Sequence, residues 1–140
     1  MGLSWSEYLS VGNKIIDSDH QNLILVVNRL VDAIRSRDRN ALSSAFKLLD
    51  TYMSVHFRNE EKIAEAVNFP FEKSRVDHRQ LIHEMRCMVN ELESMGGYWP
   101  DHLLQKYSHF LCDWLVEHII KVDMKMKPAL QAYPYEFRPD

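Results

Sequence analysis

Four stretches of about twenty residues, each with apolar side chains recurring every three or four positions, constrain this chain more than any other feature. The first carries Leu23, Ile24, Val27, Leu30, Val31 and Ile34, then fades into the polar run Arg35-Ser36-Arg37-Asp38-Arg39. The second carries Leu42, Ala45, Leu49, Tyr52 and Ile63 and ends before Asn68-Phe69-Pro70, because a proline disfavours helix in the residue before it. The third carries His78, Leu81, Met85, Met88 and Leu92 and is stopped by Gly96-Gly97. The fourth follows Trp99-Pro100 and carries Leu104, Tyr107, Leu111, Trp114, Leu115, Ile119, Val122 and Met126, stopping near Pro128. A period near 3.6 in every stretch predicts amphipathic helices, at about 18–37, 40–66, 74–94 and 101–130. Short connections between long helices force antiparallel neighbours. The expected fold is therefore all-α, an up-down-up-down four-helix bundle.

Residues 1–17, with Trp5, Tyr8 and Gly12, lack helical period and read as an ordered arm. Asp17, Ser18 or Asp19 can cap the first helix, since a short polar oxygen accepts from the orphan N–H groups of a first turn. The segment Tyr133-Pro134-Tyr135-Glu136-Phe137-Arg138-Pro139 reads as an extended tail. No repeat or linker divides the 140 residues, which suit a single domain. A formal net charge of −3 argues against nucleic-acid binding, which needs clustered Lys and Arg. No run approaches the roughly 18–20 apolar residues of a membrane span. Two cysteines, Cys87 and Cys112, are too few for a disulfide scaffold and fit a cytoplasmic setting, behaving most simply as small hydrophobes.

Seven histidines in a small acidic chain are the next constraint. His20 lies at the start of the first helix, and His56 and Glu60 lie toward the end of the second. His78 and His83 open the third helix, while His118 and Asp123 lie late in the fourth. An antiparallel bundle brings those starts and ends to one level. At roughly 100° per residue, His56 and Glu60 point the same way, about 40° apart, where the stripe should be apolar. Burying them without partners would cost several kcal/mol. A His–Glu pair alone can be an ordinary buried hydrogen bond, His20 alone a cap or surface histidine, and His78 alone a satisfied core histidine. Five imidazoles and two carboxylates on four helices at one level point instead to a metal.

Imidazole and carboxylate without thiolate suit iron, manganese or zinc. Seven ligands exceed what one ion uses. Two ions of about six ligands each need about twelve bonds, and five histidines, two bridging carboxylates and a bridging hydroxide fill all but one. A single open position in a bundle lined by Trp114, Leu115 and Ile119 suits a small apolar diatomic ligand.

The chain resembles the hemerythrin family, in particular its single-domain bacterial members. The matching pieces are the Trp5 arm, Val11-Gly12 with Ile16-Asp17 leading to His20, His56-Phe57-Arg58-Asn59-Glu60-Glu61, and Trp114-Leu115-Val116-Glu117-His118-Ile119-Ile120-Lys121-Val122-Asp123. The resemblance implies a non-haem centre of two Fe ions, oxo- or hydroxo-bridged, that binds O2 reversibly, with Glu60 and Asp123 bridging the irons. It also implies an O2 pocket lined by Trp114, Leu115 and Ile119.

One piece departs from the pattern. The family shows two histidines four apart on the third helix; here Ile82 occupies that position and the second histidine is His83. A one-residue π bulge would return His83 to the site. The alternative is that His83 faces solvent beside Arg86 and Asn90. His102 and His109 lie away from the cluster level and read as surface or bundle residues. A binding role, as O2 carrier, store or sensor, fits the histidine-rich ligand set better than an enzyme. The rival is a di-iron redox enzyme, or a protein handling iron, NO or peroxide; such bundles use Glu-x-x-His motifs, and none lies at the cluster level.

Overall fold

The computed structural model describes residues 2–139. Four long helical rods form an all-α bundle: α1 (Lys14–Arg35), α2 (Arg39–Ala66), α3 (Glu72–Ser94) and a fourth rod that opens with α4 (Asp101–Leu115). The fourth rod continues through a π turn (Val116–Ile120), α5 (Lys121–Asp123), a 3-10 turn (Met124–Met126) and α6 (Lys127–Leu130). Among the described residues no helix is long and apolar enough to cross a membrane.

The helix starts show which capping signals the chain uses. Asn13, not Asp17, Ser18 or Asp19, caps α1: its side chain accepts from the N–H groups of Ile15 and Ile16 at 3.0 and 3.2 Å. The arm is therefore shorter than expected, and a 3-10 turn at Glu7–Leu9 gives it local order. Asp17 is buried inside α1 and accepts from Ser10 Oγ (2.6 Å), the Val11 N–H (2.9 Å) and Tyr135 Oη (3.0 Å). It ties the arm and the tail to the helix. The tail folds back in turns rather than running fully extended, with Asn13 Nδ2 donating to the Phe137 carbonyl at 3.1 Å. Asp38 caps α2 by accepting from the Ala41 N–H. Gly96 and Gly97 end α3 with φ of +64° and +91°, a conformation L side chains rarely adopt.

The apolar stripes meet in two clusters. The larger runs through Leu23–Ile34, Leu42–Met53, Leu81–Leu92 and Trp99–Ile120. The smaller caps one end of the bundle with Val11, Ile16, Ile63, Phe71, Met126 and Leu130. On every rod a polar layer separates them: His20 between Ile16 and Leu23, His56 and Glu60 between Met53 and Ile63, His78 between Phe71 and Leu81, Asp123 between Ile120 and Met126. Burial of apolar area on both sides, worth roughly 25 cal/mol per Å², holds that layer away from water.

Candidate metal centre

Five of the seven expected groups meet in the polar layer, and all five are buried: His20, His56, Glu60, His78 and Asp123. They form two triads whose possible ligand atoms lie within 4.8 Å of one another, His20–His56–Asp123 and Glu60–His78–Asp123. Asp123 belongs to both. Its Oδ2 accepts from His20 Nε2 at 2.7 Å and from His56 Nε2 at 2.9 Å. Glu60 Oε2 stands 3.4 Å from His56 Nε2 and 3.7 Å from His78 Nε2.

The local helix geometry explains each position. His56 and Glu60, four apart on α2, share a face as expected. His78 is held by aromatic contact: its ring stacks on Phe57 with centroids 3.5 Å apart and lies edge-on to Phe71. Asp123 reaches the layer because of the π turn. On an unbroken helix Asp123 would sit about 180° from Trp114, facing out. The wider turn at Val116–Ile120, closed by the Lys121 N–H on the Val116 carbonyl, slips the phase by about one residue and turns Asp123 inward.

The same slip turns His118 outward. It lies with 56% of its side chain exposed, and its Nε2 is 3.6 Å from Asp113 rather than in the cluster. His83 is also outside: α3 is continuous α-helix from Glu72 to Ser94, so no bulge occurs there. Five residues of ordinary helix leave His83 about 140° from His78, exposed, with its Nε2 3.6 Å from Cys87 Sγ. The wide turn belongs to the fourth rod, not the third. Convergence of seven groups is thereby corrected to five. Trp114, Leu115 and Ile119 are buried in the main core, and Trp114 lines a narrow apolar cleft with Met53, Ile82 and Met85. Leu115 and Ile119 do not line that cleft.

Asp19, read from sequence only as a possible cap, has a different place. Its Oδ2 accepts from His56 Nδ1 (3.0 Å) and Asn59 Nδ2 (3.1 Å), which aims His56 Nε2 at Asp123. Carboxylate–histidine pairs of this kind orient metal ligands. Nothing in local sequence signals it, because the partners lie on different helices.

The electrostatics of the layer are set by its burial and by the closeness of its imidazoles and carboxylates. Burial alone would lower His56, but hydrogen bonds to Asp123 and Asp19 outweigh it and raise its pKa to about 9. Burial pushes Glu60 well above the ordinary carboxylate range, and the Asp123 charge adds to the rise. Burial lowers His78 to about 4, reinforced by the His56 charge. For Asp123, burial would raise the carboxyl, yet hydrogen bonds from His20, His56 and Glu60 hold it well below its ordinary range. Three buried atoms in the layer have no hydrogen-bond partner: His20 Nδ1, Glu60 Oε2 and Asp123 Oδ1. Unpaired buried oxygens cost free energy that a bound cation would offset. The three imidazoles and two carboxylates therefore fit a borderline divalent metal.

The sequence profile of the hemerythrin HHE cation binding domain matches residues 11–130. The chain belongs to the hemerythrin family. A bacteriohemerythrin of Methylococcus capsulatus is 26% identical over 117 residues, covering 83% of this chain and 86% of that protein. A hemerythrin-like protein of Naegleria gruberi is 31% identical over 127 residues, covering 91% and 92%. The crystal structure of a point mutant shares the fold at a TM-score of 0.75 with 22% identity, over 91% of this chain and 96% of that one. The His/Asp/Glu layer and the family together support a non-haem iron protein.

Proposed function

We propose that this hemerythrin-family chain holds two Fe ions in its polar layer and binds O2 reversibly, as a non-enzymatic carrier, store or sensor in the cytoplasm. The observation that carries the reading is the pair of buried triads sharing Asp123. His20 and His56 would hold one ion and Glu60 and His78 the other, with Asp123 between them. Bound iron would supply reversible electron donation to a small diatomic ligand. Trp114, Leu115 and Ile119, all buried in the main core, would keep water and larger molecules from that side of the layer.

The test is spectroscopic. Reduced, iron-loaded protein should change colour with O2 pressure and return to colourless when O2 is removed, over several cycles. One observation favours a second reading, a di-iron redox enzyme or a protein handling iron, NO or peroxide. With His83 and His118 outside, the layer offers three imidazoles rather than five, leaving more coordination positions open than a carrier needs. Irreversible oxidation on first exposure, with peroxide release, would replace the carrier reading by that one.

A further inference from the structure

We infer that the two cation positions are unequal: His20–His56–Asp123 binds its ion first and retains it, while Glu60–His78–Asp123 holds a labile ion. This rests on the metal-centre reading above but not on O2 binding. The donor sets differ. The first triad offers two imidazoles and one carboxylate, the second one imidazole and two carboxylates. Borderline divalent iron favours the imidazole-rich set, whereas oxygen-rich sets suit harder ions such as Mn2+.

Support around the triads differs in the same direction. In the first, Asp19 and Asn59 fix the tilt of His56, and the side chains of His20 and His56 are wholly buried. In the second, His78 is held by ring stacking alone; among the described residues no carboxylate hydrogen-bonds its ring, and 9% of its side chain meets solvent. The next residue along that face of α3 is not a donor. Ile82, one turn beyond His78, is half-buried against the cleft with Met53, Met85 and Trp114 and cannot coordinate. Hydrogen bonds that orient a ligand are worth roughly 10–100-fold in metal affinity. The second step should therefore be at least about tenfold weaker.

The experiment is an anaerobic titration of the metal-free full chain with Fe2+ alone, read as bound iron per chain by equilibrium dialysis. A parallel titration uses Mn2+. Two steps separated by tenfold or more are expected, with one iron surviving desalting. Ile82→His, which places an imidazole one turn from His78, should strengthen the second step and raise retained iron toward two; Ile82→Ala controls for packing and should leave the first step unchanged. Two equally tight irons in the unaltered chain overturn the inference while sparing the di-iron reading. An Ile82→His variant that folds and binds no more tightly at the second step also overturns it. Failure to bind any iron at stoichiometric levels removes both.

Discussion

The Asp19 carboxylate accepts from His56 Nδ1 and Asn59 Nδ2, so its loss would free the His56 ring to rotate and its Nε2 to leave the line toward Asp123. Asp19→Ala should lower metal affinity by roughly 10–100-fold and also lower the melting temperature of the metal-free protein near neutral pH, since the buried His56 Nδ1 loses its partner, checked by titration and calorimetry. Asp17, two residues earlier, acts on the fold instead. Its three hydrogen bonds join α1 to the arm and the tail, and one of them satisfies the buried Val11 N–H. Asp17→Ala should cost roughly 2–3 kcal/mol in urea denaturation and loosen both termini, since it leaves a buried donor unpaired. Both aspartates read equally well as caps in the sequence. What separates them is which distant side chain each one meets.

The fourth rod shows how one irregular turn sets the membership of a site. A regular helix would present His118 beside Trp114 and send Asp123 to solvent; the π turn at Val116–Ile120 exchanges them. The periodicity of the apolar residues gave the rod and its length, but the phase beyond residue 116 depends on packing. Ile119 and Ile120 are both buried, which one unbroken stripe does not require. His118→Ala should therefore keep the metal content and melting temperature of the unaltered protein, whereas His20→Ala, which removes a wholly buried imidazole from the proposed centre, should lower both. Metal analysis with calorimetry on the two variants decides this, and metal loss in His118→Ala would show that His118 serves the centre. On α3 the expected bulge is absent because the helix starts at Glu72 and keeps one phase to Ser94, leaving His83 on the solvent face.

At the scale of the whole molecule, the buried polar layer makes stability depend on pH. The folded state binds the His56 proton more tightly, with a pKa near 9 against an ordinary 6.5. That contribution is complete below pH 6.5 and is lost as pH rises to about 9; it is on the order of 3 kcal/mol. Glu60, raised above its ordinary value, acts with the same sign; His78, lowered, acts with the opposite sign but almost entirely below pH 7, and Asp123, lowered, contributes no slope in this window. The metal-free protein should melt on the order of 10 °C lower at pH 9 than at pH 6.5 by calorimetry. A bound cation displaces the protons from His56 and Glu60, so the metal-loaded protein should lack that decline and release protons on binding. By itself the sequence determined the four amphipathic rods, their breaks and the level at which the histidines and carboxylates gather, because those follow from local periodicity and antiparallel connection, while its motifs carried the family. Only the tertiary structure decided that Asn13 starts α1, that Asp19 aims His56, and that His83 and His118 stay outside while Asp123 turns in. The physical reason is that helical phase is fixed by side-chain packing between rods, and a slip of one residue, invisible in composition or spacing, rotates each following side chain by about 100°.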